Sequence, residues 1–189
     1  MTSKDIIKIV SDMVEEACKM ETNDFGYGIW SHHIVYVVKY SKLLAEKIGA
    51  DAEIVELASL LHDYASIKNS KHYEEHHVYG GIEAEKILKE LDYPLDRIEK
   101  VKKCILSHRA SIDSERLSKE EVCVASADAM AHIDQVVSLL YYVFKENSMD
   151  IDEGKEWVRK KVMRSWNKLN DEGKELILEK YYSTLKILE

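Results

Sequence analysis

The chain contains one proline, Pro94, and only seven glycines. These residues interrupt helices and punctuate loop-rich and β-rich chains, so their scarcity argues against a hairpin-dense sandwich or barrel. Three cysteines, Cys18, Cys104 and Cys123, form no C-x-x-C pair and cannot all be bridged, which excludes a cysteine zinc site and a disulfide scaffold. A basic excess is missing too. The formal net charge is -8, without the positive footprint that a nucleic-acid or anionic-membrane binder uses to neutralise phosphate. No apolar run approaches the roughly 20 residues of a membrane span. The start, Met1-Thr2-Ser3-Lys4-Asp5, has no continuous apolar stretch of an export signal. The expectation is a cytoplasmic protein that binds neither duplex nucleic acid nor membrane.

What is present is a balance of 46% hydrophobic and 33% charged residues over 189 positions, enough for one domain with a core and a charged surface. Lys, Glu, Leu and Ala dominate nearly every segment, which predicts an all-α fold. Ile6, Ile7, Val10, Met13, Val14 and Ala17 recur at three- and four-residue steps behind Ser3, marking an amphipathic first helix over 4–20. A second helix is predicted from Ser31 to Ile48, stopped by Gly49, and a third from Asp51 or Ala52 to the His62-Asp63 pair. Residues 65–73 read as a polar loop. Helices follow over about 75–91 and from Pro94 to Ser107 or His108, then a loop over 109–118. Ser118 and Glu121 stand at capping-box spacing ahead of a helix expected to run to about Lys145. Two further amphipathic helices fill about 152–187, packing on the core and shaping the rim of a site.

His62-Asp63 closes the apolar run Leu57, Ala58, Leu60, Leu61. Two adjacent polar groups there are costly to bury without partners, and ligation of a metal removes that cost. An imidazole nitrogen beside a carboxylate oxygen suits a divalent transition metal better than the all-oxygen shells of magnesium or calcium. Further His and Asp residues are available in His33, His76 or His77, His108 and Asp128. Val37 and Tyr40 lie four and seven residues after His33, so His33 rather than His32 faces the interior. His108 can also be read as a cation at a helix C-terminus, and Arg109 as either a phosphate contact or a loop ion pair. His132, four residues after Asp128 on the same helix face, is either a support to the site or a packed residue.

The order H…HD…H…H…D resembles the HD-domain superfamily of metal-dependent phosphohydrolases. The resemblance covers about residues 25–145 and rests on His33-Ile34-Val35-Tyr36-Val37-Val38, Leu60-Leu61-His62-Asp63, His76-His77-Val78-Tyr79-Gly80-Gly81, Ile105-Leu106-Ser107-His108-Arg109 and Ala125-Ser126-Ala127-Asp128-Ala129. It implies a single-domain helical bundle with the metal site between core helices, and it favours His76 over His77 as the start of the His-x-x-x-Gly element. The implied metal ligands are His33, His62, Asp63, His76, His108 and Asp128. They would hold one or two divalent ions (Mn, Fe, Co, Ni or Zn, with Mg admitted), and Asp63 would also orient the attacking water. The implied activity is hydrolysis of a small phosphomonoester or phosphoanhydride, a nucleotide foremost, drawn to the site by the metal. The alternatives are a non-catalytic nucleotide- or metal-binding regulatory domain and a helical interaction domain, and a homodimer is left open. Two departures from the family pattern stand out. Met130 replaces a second acidic residue found in relatives, and Tyr64-Ala65-Ser66 follows the HD pair where many members have an Ile-Gly-Lys-like sequence, leaving Lys68 displaced.

Overall fold

Thr2 begins the first helix. Its hydroxyl accepts a hydrogen bond from Asp5 N while the Asp5 carboxylate accepts from Thr2 N, a reciprocal capping box one residue ahead of the expected Ser3 cap. The computed structural model describes residues 2–109 and 115–189. Its elements are α1 (Ser3–Lys19), a π-helical turn (Trp30–Ile34) running into α2 (Val35–Ile48), α3 (Ala52–Leu61), α4 (Tyr64–Lys68), a 3-10 segment (Ser70–Glu75), α5 (His76–Glu90), α6 (Leu95–Ser107), α7 (Lys119–Asp134), α8 (Val136–Tyr141), a second π-helical turn (Tyr142–Glu146), α9 (Ile151–Lys168) and α10 (Asp171–Ile187). No strand forms among the described residues, and the fold is all-α as expected. Among the described residues no helix is long and apolar enough to cross a membrane.

The expected stops hold where local chemistry dictates them. Gly49 ends α2 in the left-handed region at φ 70, Pro94 precedes α6, and Ser118 caps α7 by accepting from Glu121 N at 3.2 Å. Two expectations fail. Residues 65–73, expected as a loop, form α4 and most of the 3-10 segment, and Ala65, Ser66 and Ile67 are buried. A helix this short is not stable alone, so it is packing against α1 and α5 that orders it. The helix expected to reach Lys145 breaks at Gln135 (φ -105, ψ 41). Asp134, just before the break, is held by the Tyr40 hydroxyl of α2 at 2.7 Å and by Lys180 of α10. Of the expected loop over 109–118, residues 110–114 lie outside the described residues, and 115–117 carry no regular element.

The centre of the bundle is α7, which packs on α2, α3, α6, α9 and α10. It is buried on nearly every side, with Ala125, Ala127, Ala129 and Ala131 permitting close approach and Met130 and Ile133 filling the core. Each of these two larger side chains contributes about 1.5–3 kcal/mol by leaving water. That sets a register in which Asp128 is carried inward.

Candidate metal centre

Four histidines and two carboxylates expected from the sequence converge. Asp63 sits between them. Its Oδ2 lies 3.3 Å from His33 Nε2 and 3.2 Å from His62 Nε2, while its Oδ1 lies 3.4 Å from His76 Nε2 and 3.9 Å from His108 Nε2. Asp128 Oδ1 is 3.5 Å from His33 Nε2 and 3.9 Å from His62 Nε2. His76, not His77, enters the cluster, and His33, not His32, does so on the π-helical turn. Such turns recur at functional sites because the extra residue re-aims a side chain.

Helix ends aim these groups. His62 and His108 follow the last residues of α3 and α6, where backbone carbonyls lack intrahelical partners. His62 Nδ1 donates to Ser59 O at 2.8 Å, His108 Nδ1 to Ile105 O at 2.6 Å and His76 Nδ1 to Tyr73 O at 2.6 Å. A carbonyl only accepts, so Nδ1 carries a proton, and each ring in its neutral form presents its Nε2 lone pair inward. Asp63 caps nothing at the start of α4, and its backbone lies near the bridge region (φ -105, ψ 0) that many active-site residues adopt. Gly80 allows α5 to close on α3 and α6, since a Cβ there would lie 3.0 Å from Ile105 Cγ2 and 3.3 Å from His62 O.

The donor set fits a metal. His33 and His62 oppose their Nε2 atoms at 3.2 Å, and His76 and His108 at 3.0 Å. Two lone pairs facing each other at that distance require a cation or a proton between them. Nitrogen ligands about 2.0–2.1 Å from an ion stand about 2.8–3.4 Å apart at right-angled or tetrahedral geometry, a range that includes the spacing seen here. Among the described residues, three groups could each hold an ion: His33, His62 and Asp63; Asp63, His76 and His108; and His33, Asp128 and His132.

The electrostatics separate the roles of the rings. Burial works against the His62 imidazolium, but Asp63 alongside and Asp128 beyond it raise the group to about 8. Burial, then the neighbouring His62, hold His108 well below the usual histidine range. Burial opposes ionisation of both carboxylates, yet His62 and His33 keep Asp63 ionised, as Lys168 and His132 do Asp128, each well below the ordinary aspartate value. His132 is pushed down to about 3 by burial and by Lys161.

His132, read from the sequence as either a support or a packed residue, touches the cluster, and residues of α9 that carried no expectation approach it as well. His132 Nε2 lies 3.2 Å from Asp128 Oδ1, and its ring stacks on His33 with centroids 4.6 Å apart. Lys168 of α9 donates to Asp128 Oδ2 at 2.5 Å and to His108 O at 2.6 Å. Beside the cluster opens a cavity of about 340 Å³, lined also by Lys161 and Arg164 of α9 and by the aromatic residues Phe25, Tyr73, Tyr142 and Trp157. Thus α9 enters the site itself, and a metal held there would not be the sole positive charge facing the cavity. The signal was a lysine at 161 inside the apolar stripe of Trp157, Val158 and Val162. Arg109 pairs with Glu74 at 2.9 Å, the loop ion pair of its two readings, and Lys68 pairs with Glu83 at 3.0 Å.

The chain belongs to the HD-domain family, whose model matches residues 30–133. Among solved structures it is similar to the Lin1889 protein from Listeria innocua and to YpgQ from Bacillus subtilis, each at 21% identity and a TM-score of 0.75, covering 100% of this chain and 94% of theirs. A structure of YpgQ in complex with ADP aligns at 21% identity and a TM-score of 0.71, covering 96% and 93%. No curated protein matches the chain.

Proposed function

We propose that the protein is a metal-dependent phosphohydrolase acting on a phosphomonoester or phosphoanhydride, a nucleotide foremost. The observation that carries this reading is the pair of opposed imidazole couples on either side of Asp63, each lone pair directed at the same carboxylate. In this reading His33, His62, Asp63 and Asp128 would hold a first divalent ion, and Asp63, His76 and His108 would supply the ligands for a second. Bound divalent metal supplies a water activated at neutral pH and positive charge beside the phosphoryl oxygens. The ionised Asp63 orients the water and accepts its hydrogen bond. The carbonyls of Ser59, Tyr73 and Ile105 keep the histidine tautomers fixed, and Lys168 steadies Asp128. The aromatic wall offers stacking for a base, and the ADP captured by YpgQ is consistent with such a ligand.

The test joins elemental analysis to a phosphoester and nucleotide panel with Mn, Fe, Co, Ni, Zn and Mg. Turnover is expected with at least one transition metal and up to two ions per chain. Asp63→Ala should lose metal and turnover, and His76→Ala or His108→Ala should drop the content from near two to near one. His32→Ala should change neither. Nucleotide binding without turnover under every metal would support the regulatory-domain alternative and remove this reading.

A further inference from the structure

The cavity-lining face of α9 is cationic along a line that leads away from the metal centre. Trp157, Lys161, Arg164 with Ser165, and Lys168 follow one another at helical spacing, so they share a face. Lys168 is committed to Asp128 and to the His108 carbonyl. Lys161 and Arg164 line the cavity, and neither makes a hydrogen bond or ion pair among the described residues. The other cation on the cavity wall, Arg109, is occupied by Glu74. Asp128 and Asp63 attract the Lys161 ammonium while Arg164 and Arg109 repel it, and burial, the largest influence, lowers its proton affinity. An ammonium taken out of water without a partner is unfavourable, and a ligand anion is the group that would complete it.

The spacing orders the cavity. At about 1.5 Å of rise per residue, Lys161 stands about 10 Å along α9 from Lys168 and about 6 Å from Trp157. At the far end, Trp157 lies 6.4 Å from Tyr142, which lies 6.1 Å from Phe25, centroid to centroid. Along α9, Lys161 and Arg164 therefore sit between Lys168 at the metal centre and Trp157 of the aromatic wall.

Building on the phosphohydrolase reading, we propose that Lys161, assisted by Arg164 at the rim, binds a phosphoryl group of the substrate other than the one held at the metal centre. These residues make the site selective for phosphoanhydrides, such as nucleoside diphosphates and longer, over monophosphates. A monophosphate engaged at the metal leaves Lys161 without its anion, whereas a second phosphoryl group supplies it. Both are specificity-determining contacts and take no part in bond cleavage.

The test uses full-length protein loaded with manganese, calorimetric titration, and two probes: AMP and α,β-methylene-ADP, whose bridging bond resists hydrolysis. Wild-type protein is expected to bind the diphosphate at least about tenfold more tightly than AMP, the scale of one charge-assisted hydrogen bond. Lys161→Met should weaken the diphosphate by about tenfold to a hundredfold and AMP by less than about twofold, with Lys161→Arg recovering part of the loss. Arg164→Gln, at an exposed position, should show a smaller loss of the same selectivity and carries the comparison should Lys161→Met not fold. Equal wild-type affinity for the two probes overturns the proposal, as does a Lys161→Met variant that weakens both alike or neither. Metal loading and AMP binding without diphosphate preference would remove this proposal and leave the phosphohydrolase reading intact. Failure to bind either probe would remove both.

Discussion

At the residue scale the site rests on pairs in which one member fixes the other. Lys168 and Asp128 form such a pair, with side chains 4% and 9% exposed. Breaking a buried ion pair by deleting one partner costs about 3–5 kcal/mol, because the remaining charge stays buried. Lys168→Met should therefore lower the unfolding free energy of metal-free protein by about that amount. A bound divalent ion restores positive charge beside Asp128, so the loss should shrink in metal-loaded protein. Chemical denaturation with and without chelator measures both, and an equal loss in the two states would show that the lysine does not serve the carboxylate. The histidines were legible in the sequence because each sits at a helix end or on an inward face. The support of Lys168 was not, since it joins positions 40 residues apart.

At the element scale, backbone approach decides whether the two imidazole couples face Asp63. Gly80 lets α5 lie against the ends of α3 and α6. Gly80→Val would drive its side chain into Ile105 and the His62 carbonyl, and overpacking of this kind costs about 1–3 kcal/mol. The expected outcome is a lower melting temperature together with weaker metal binding, because the displaced carbonyl belongs to the His62 segment. Gly81→Ala is the control, since its Cβ would meet only the Leu106 side chain at an ordinary 3.6 Å. Matching behaviour of the two variants in melting and metal titration would contradict this account. The His-x-x-x-Gly spacing was visible in the sequence. Its steric reason was not, because Ile105 lies on another helix.

At the scale of the whole molecule, α9 and α10 complete the bundle. They cover α7, whose Ala129, Met130 and Ile133 are buried, and Thr184 of α10 donates to Ile133 O at 3.4 Å. A chain ending at Met149 would expose that face and lose Lys168 from Asp128. It is expected to show no cooperative thermal transition by circular dichroism, with or without manganese. A cooperative melt close to that of the full chain would show that residues 2–149 fold alone.

The sequence by itself determined the all-α class and most helix boundaries, because these depend on periodicity and capping residues along one segment, while the six groups that converge were legible through the order H…HD…H…H…D and the family resemblance it carries. It misjudged residues 65–73 and the end of α7, where burial against α1 and α5 and anchoring of Asp134 by Tyr40 and Lys180 outweigh local preference. Only the tertiary structure decided that Asp63 stands between two imidazole couples, that His132 stacks on His33, and that α9 brings Lys161 to the cavity and Lys168 to Asp128. Those contacts join residues distant in the chain. Their distances are set by how the helices pack, which no local pattern encodes.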